Sequence, residues 1–366
     1  MSILVINAGS SSIKYSIYVS ATLELIDHGL IEEIANHHEG FELMRQQLQL
    51  HHIDIEHIDA IGHRVVHGGE RFHEPTLIND DVLEEITALI PLAPLHNPAN
   101  IEGIIAARAI APKVPNFAIF DTAFHQSMPR HAYHYPLPHN LYTIHHVRRY
   151  GFHGTSHHYV AQKASEALEK PLNALNLITF HIGNGASACA IQNGKSIDTS
   201  MGMTPLEGLM MGSRCGSIDP SIIGYLSHAT PMSIDEIETM LNKKSGLLAI
   251  GGSNDMRTLL NAKEKGDKNA ILAIDMFVHS LKKQLGAYMA ILTKVDAVVF
   301  TGGIGEHSPD IRQMVCEGLE HLGIKFDNGK NSGQNREIQD SSSMVKLLVI
   351  PTDEERQIAM YVQKLL

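Results

Sequence analysis

The stretch "ILVINAGSSSIKYSIY", residues 3–18, decides how the chain is read. Five residues, Ile3 to Asn7, are almost all apolar and bounded by a glycine, as expected of a buried strand. The run then breaks into Gly9, Ser10, Ser11 and Ser12, and apolar alternation resumes around Lys14. Glycine and serine form hairpin turns by local hydrogen bonding, so an ordinary β-turn reads the same way. A turn made only of small hydroxyls and followed by a cation also has a chemical meaning, which the rest of the chain has to decide.

A second stretch repeats the pattern. "LITFHIGNGASACAIQNG", residues 177–194, is again strand, glycine-containing polar turn and strand, and it ends in Asn193-Gly194, a strong two-residue hairpin signal. Further apolar runs stop abruptly in polar residues: "FAIFDTAFH" from Phe117, "AVVFTGGIGEHS" from Ala297 and "LLVIPTDEE" from Leu347. Between them, Pro98–Ala111 and Asn269–Leu292 carry apolar residues at helical spacing. Strands alternating with helices predict an α/β fold, and the echo predicts two copies of one βββα-type unit. Two such turns facing one another across a cleft would make a natural ligand site. Residues 329–343, "GKNSGQNREIQDSSS", are polar and read as a surface loop.

Composition narrows the classes. At 366 residues, a prior of roughly 150 per domain gives two domains. Hydrophobic residues make up 43% and charged residues 19%, which excludes intrinsic disorder. The formal charge of −11 argues against nucleic acid as a partner. Three scattered cysteines, Cys189, Cys215 and Cys316, form neither a disulfide framework nor a zinc ribbon, and suit a reducing cytoplasm. No apolar run approaches the ~18 residues of a membrane span, and no basic-then-apolar leader is seen, so a cytoplasmic protein is expected. The 24 histidines include doublets such as His157-His158, but no H-E-x-x-H occurs, and the doublets read as solvated surface.

Phosphate is the ligand that such turns suit best. Glycine lets backbone N–H groups approach an anion, serine hydroxyls add donors and a lysine adds charge. Neither a P-loop nor a G-x-G-x-x-G turn is present, so a nucleotide would be held by paired hairpin turns. Arg64 in "GHRVVHGGE", Arg214 in "MGSRCGSIDP" and His153 in "RRYGFHGTSHH" are reactive types among glycines, although a structural salt bridge would explain any one of them. Asp121 and Glu354 are carboxylates at strand exits, where ligands of a nucleotide's Mg²⁺ commonly sit.

Taken together, "NAGSSSIKYS", "GHRVVHGGE", "PLAPLHNPANIEGI", "FDTAFHQSMP", "YGFHGTSHHYVA", "HIGNGAS", "DTSMGMTPLEGLMMGSRCGSIDP" and "TGGIGE" closely resemble the acetokinase family, nearly end to end. That family belongs to the actin, sugar kinase and Hsp70 superfold. The resemblance implies duplicated actin-like (ribonuclease H-like) βββαβαβα domains with an interdomain nucleotide cleft. Residues 1–124, completed by a C-terminal helix at 355–366, would form one domain, and 125–354 the other, with the nucleotide site and dimer contacts. The cleft would close on ligand like a hinge.

The implied activity is reversible phosphorylation of acetate by ATP, giving acetyl phosphate and ADP, with Mg²⁺ as cofactor, Mn²⁺ as substitute, and a homodimeric assembly. Carried over position by position, Arg64 and Arg214 would grip the carboxylate and the migrating phosphoryl, with His153 donating to an equatorial oxygen. Asn7, Ser10, Ser12 and Lys14 would form the first phosphate turn; His181, Asn184 and Gly185 the second; and Gly302, Gly303, Ile304 and Gly305 would close over the nucleotide. Asp255 and Arg257 would lie near the adenosine. Asn7, Asp121 and Glu354 would place the metal, and Val66, Leu95, Phe152 and Pro205 would line a methyl pocket.

Three departures stand out: a short 19–58 segment, His307 where the family has Asn, and Asp353 in place of Asn beside Glu354. Two alternatives stay open, a propionate or butyrate kinase of the same family and a non-catalytic nucleotide switch on the same superfold.

Overall fold

The computed structural model describes residues 1–9, 11–333 and 335–366; Ser10, expected in the first phosphate turn, lies outside the described residues. The chain divides into two compact units, one formed by Met1–Gln126, Phe152–Tyr159 and Asp353–Leu366, the other by Ser127–Gly151 and Val160–Thr352. Among the described residues no helix is long and apolar enough to cross a membrane.

In the first unit, β1 (Ser2–Ala8), β2 (Ser12–Val19) and β3 (Leu25–Glu32) form an antiparallel meander. Then β4 (Ala60–Val65) lies parallel to β1, and β6 (Asn116–Phe120) parallel to β4, with the two-residue β5 (Thr76–Leu77) antiparallel at the edge. The order is β3-β2-β1-β4-β6-β5.

The unbroken apolar character of β1 follows from burial on both faces. Ile3 and Val5 pack with Ile358, Ala359 and Val362 of the helix Glu354–Gln363, while Leu4 and Ile6 pack with Phe41, Met44 and Ala107 on the other side. Period-two alternation sends successive side chains to opposite faces, and here both faces are apolar. Gly62 lets the C-terminal helix sit down on β4: a Cβ there would come within 2.8 Å of Ile358 and 2.9 Å of Val362.

The second unit repeats the scheme. β7 (Asn176–Ile182), β8 (Ala186–Gln192) and β9 (Lys195–Thr199) form the meander; β10 (Ala297–Thr301) lies parallel to β7 and β11 (Lys346–Val349) parallel to β10. The order β11-β10-β7-β8-β9 is that of β6-β4-β1-β2-β3. The expected Asn193-Gly194 hairpin is present, with φ of 52° and 79°, the two positive values that a type I′ turn requires.

The helices expected at 98–111 and 269–292 run over Asn97–Ile110 and Lys268–Leu292. The segment expected as a surface loop is more ordered than its composition suggests. A short helix covers Asn328–Asn331, and bridges join Phe326 to Gln339 and Glu337 to Leu348, so the chain returns to the edge of β11. Polar residues at a sheet edge bond through their backbones, which side-chain composition does not report.

Candidate active site

In parallel sheets, ligands gather at the carboxyl ends of the strands. In the first unit those ends carry Asn7 on β1, Arg64 on β4 and Asp121 just past β6. Ile6 pairs with His63, and Arg64 with Ile119, so the three stand on adjacent strands. Lys14 is the cross-strand partner of Asn7, and its Nζ lies 2.6 Å from Glu355 Oε1.

Arg64 meets Asp121 through a forked contact, with Nη2 2.6 Å from Oδ2 and Nε 3.0 Å from Oδ1; Glu354 Oε2 is 3.9 Å from Nε. Burial works against the charge of Arg64, but the Asp121 and Glu354 carboxylates outweigh it and raise its pKa. Glu354 shows the reverse balance. Burial, aided by Asp121 and Glu355, overcomes the attraction of Arg64 and pushes its carboxyl up to about 7.

Phe152 and His153 reach this edge because the chain crosses back into the first unit. Gly154 N donates to Asp121 O at 2.9 Å, and a Cβ on Gly154 would collide with that carbonyl. His153 itself is held at φ 56°, a left-handed conformation costing a non-glycine residue about 1–2 kcal/mol. His125 Nε2 lies 3.0 Å from Phe152 O, and Phe152 is fully buried. Val66 is half-buried, whereas Leu95, expected in an apolar wall, is 55% exposed.

Sequence reasoning passed over the groups that hold this edge. Asn100 accepts from Val66 N at 3.1 Å and donates to Ala8 O at 2.9 Å, tying β1 to the end of β4. His37 lies 2.8 Å from Gly9 O and 2.6 Å from Glu102, which ties Gly9 to the start of the helix His37–Leu50. Asn100 and Glu102 fall within the quoted "PLAPLHNPANIEGI"; His37, inside a histidine doublet, gave no signal.

In the second unit, β7 ends at His181 and Ile182, and Thr301 on β10 pairs with His181. Gly302 follows at φ 76°, its Cβ position 2.9 Å from the Ile182 backbone, a place for glycine alone. Gly302–His307 forms a short helix, and Glu306 turns back to accept from Gly302 N at 2.8 Å and Thr352 N at 3.1 Å. His307 stands in its last turn.

The turn Gly183-Asn184-Gly185 is tied to the loop that carries Arg214: Gly212 N donates to Asn184 O at 3.0 Å, and a Cβ on Gly212 would collide with Asn184 Oδ1. The Arg214 side chain donates to Pro205 O at 3.3 Å and lies 4.0 Å from Met211 sulfur; among the described residues it has no carboxylate partner. Burial lowers its pKa. Asp255 caps the helix Met256–Glu264 and pairs with Arg257 at 2.7 Å, with the Arg257 side chain 88% exposed.

Residues at these strand ends fit a hydrated cation better than a protein cage. Among the described residues no group of three or more His, Cys, Asp or Glu is placed to hold a metal. Among the described residues Glu354 Oε2 is buried without a hydrogen-bond partner, whereas both oxygens of Asp121 are engaged by Arg64. One open carboxylate suits Mg²⁺, which keeps several waters and takes its remaining ligands from substrate phosphates.

Two sheets of the same strand order, each with polar groups at the carboxyl ends of its parallel strands, place the chain among the actin-like phosphotransferases. Solved structures agree: Porphyromonas gingivalis acetate kinase superposes with a TM-score of 0.93 at 41% identity, and a propionate kinase from Francisella tularensis with 0.94 at 45%, each covering 98% of both chains. The model of the acetokinase family matches residues 29–360, and an acetate kinase of Sulfurovum sp. is 50% identical over 98% of this chain and 97% of its own. The chain belongs to the acetokinase family.

Proposed function

We propose that the protein transfers the γ-phosphoryl of ATP to acetate, reversibly and directly, giving acetyl phosphate and ADP. The observation that carries this reading is Arg214, a partly buried guanidinium with no carboxylate partner among the described residues. A cation held out of water without a counter-charge favours an anion, and its planar fork matches carboxylate or phosphoryl oxygens.

Acetate is already ionised at neutral pH, so no general base is required. The protein's task is to align two anions and neutralise charge as the phosphoryl moves. We assign that neutralisation to Arg64 and Arg214, with His153 donating to an equatorial oxygen and Asp121 fixing Arg64. Asn7, Ser12, Lys14, His181, Asn184, Gly185 and Gly302–Gly305 serve the phosphates, and Asp255 and Arg257 the adenosine. Glu354 holds Mg²⁺, with Asn7 and Asp121 acting through water. A bound Mg²⁺ would offset charge on the nucleotide's phosphates.

Replacing Arg214 by Ala tests this: kcat should fall about 10²-fold or more. A folded Arg214→Ala protein with unchanged kcat would remove the residue from the reaction.

A second reading, phosphorylation of propionate, is favoured by one observation, the 45% identity to a propionate kinase structure. Comparing kcat/KM for acetate, propionate and butyrate decides between them.

We further propose a homodimer in a reducing cytoplasm. The helix Ser221–Ala229 buries none of its residues although Ile222, Ile223, Tyr225 and Leu226 are apolar, with Tyr225 71% exposed, and such a face suits a second copy. None of the three cysteines is in a disulfide. Sedimentation equilibrium of the wild type and of Tyr225→Glu tests the assembly.

A further inference from the structure

Beneath the loop that carries Arg214 lies a polar cluster with no role in the reading above. Arg149 Nη1 is 3.0 Å from each of the carbonyl oxygens of Thr199, Ser200 and Met201, and its Nη2 donates to Glu207 Oε1 at 2.7 Å. The Tyr135 hydroxyl donates to the other oxygen, Glu207 Oε2, and accepts from Met203 N at 3.0 Å. Gly202 O takes two further bonds, from Tyr150 N at 3.0 Å and Gly151 N at 3.2 Å. A Cβ on Gly202 would collide with both Glu207 Oε2 and Tyr135 Oη, so the backbone is pressed against the carboxylate.

Both carboxylate oxygens of Glu207 are therefore held. Pro205 lies two residues away and its carbonyl is the hydrogen-bond partner of Arg214 Nη1 at 3.3 Å. At the base of the loop, Gly208 O accepts from Ser217 N at 2.9 Å and Gly208 N donates to Ser217 Oγ at 3.1 Å. The loop is tied as well to Asn184 O through Gly212 N and to Leu241 O through Cys215 N, but among the described residues the one oxygen that the Arg214 side chain bonds, Pro205 O, belongs to the Glu207 segment.

We propose that Tyr135, Arg149 and Glu207 form a clamp of positioning residues that fixes Pro205 and, through its carbonyl, the guanidinium of Arg214 for the acid-handling part of the reaction. The inference rests on the role given to Arg214 above. A guanidinium serves a developing charge only when its fork is already aimed, and a displacement near 1 Å costs a reaction about 10²-fold.

The test uses the full-length protein with Tyr135→Phe, Glu207→Gln and Gly202→Ala, the last shifting the carboxylate without removing any group. Expected are a 10- to 100-fold loss of kcat/KM for the acid, carried by both kcat and the acid KM, with the Mg-ATP KM changed by about twofold or less. Arg149→Lys should recover only part of what Arg149→Ala loses, because one ammonium lacks the fork that spans three carbonyls and a carboxylate.

A second readout does not depend on activity. Cys215 adjoins Arg214 and is partly exposed, whereas Cys189 and Cys316 are buried. The clamp variants should label severalfold faster than wild type at Cys215 with a small aromatic disulfide, at unchanged Cys189. Unchanged Cys215 labelling, or equal rises in the KM of acid and nucleotide, overturns the clamp. Retained activity in Arg214→Ala together with faster Cys215 labelling in the clamp variants instead overturns the assigned role of Arg214 and leaves the clamp standing.

Discussion

Arg64 grips Asp121 in a forked ion pair, Nε at 3.0 and 3.2 Å and Nη2 at 2.6 Å from a carboxylate that is 1% exposed, while Arg64 Nη1 makes no hydrogen bond among the described residues. Such a pair aims the guanidinium and leaves the two N–H donors of Nη1 for an incoming anion.

Arg64→Ala should lower kcat about 10²-fold or more, and Arg64→Lys should recover only a fraction, since an ammonium lacks the fork. It should also cost stability, about 3–5 kcal/mol, because Asp121 is left buried and unpaired. Steady-state kinetics alongside urea unfolding separate the two effects. A normal kcat with reduced stability would show that the pair is structural alone.

If Glu354 holds the metal as proposed, metal binding should depend on pH. Its carboxyl, lifted by burial to about 7, keeps a proton in the folded protein that an unfolded chain releases near its ordinary value of 4.5. Between those values the folded state binds more protons than the unfolded, so this group's contribution to stability falls as pH rises towards 7 and is level above it. Mg²⁺ requires the ionised form. The apparent Mg²⁺ affinity should therefore rise with pH through about 7, with proton release on binding, and Glu354→Gln should flatten the dependence. Calorimetric titration in two buffers of different ionisation enthalpy measures the proton release; an unaltered profile in Glu354→Gln removes the residue from the metal site.

Asp353 has a structural task that asparagine would also perform. Its Oδ1 accepts from Arg356 N at 2.9 Å and caps the helix Glu354–Gln363, and Asn and Asp cap equally well. Asp353→Asn should leave the melting temperature nearly unchanged and shift the Mg²⁺ requirement only modestly, by removing a neighbouring charge. Asp353→Ala should cost about 1 kcal/mol. Calorimetric melting and an activity titration with Mg²⁺ check both; a large stability loss in Asp353→Asn would mean that its charge, not its cap, matters.

Acid selectivity should respond to Val66, whose backbone is fixed by Asn100 at 3.1 Å. Wild type should favour acetate in kcat/KM, and Val66→Ala should move the ratio towards propionate by roughly three- to tenfold, since a buried methylene is worth about 0.8 kcal/mol, or about fourfold. A wild type that prefers propionate refutes the acetate assignment; an unmoved ratio takes Val66 out of the pocket wall.

Much of the fold could be read from local chemistry. β1 was legible because its residues are apolar on both faces, and the hairpin at Asn193-Gly194 because those residues tolerate positive φ. The doubled turn was visible as a repeated string. What stayed hidden was lateral. The return of Phe152–Tyr159 to the first unit depends on Gly154 meeting the Asp121 carbonyl, and the grip of His37 on Gly9 joins a helix to a turn far away in sequence.

Asp121 and Glu354 show where the division falls. The sequence alone determined that each is a carboxylate following an apolar strand, because a buried strand must end where its polar neighbours begin. Only the tertiary structure decided that they differ. Parallel pairing sets β6 beside β4, so Asp121 takes the fork of Arg64 with both oxygens, whereas Glu354, entering on the C-terminal helix, brings Oε2 to 3.9 Å from Arg64 Nε and among the described residues leaves that oxygen without a hydrogen bond. Ion pairing follows the lateral order of strands, which crossover connections set and which no local run of residues records.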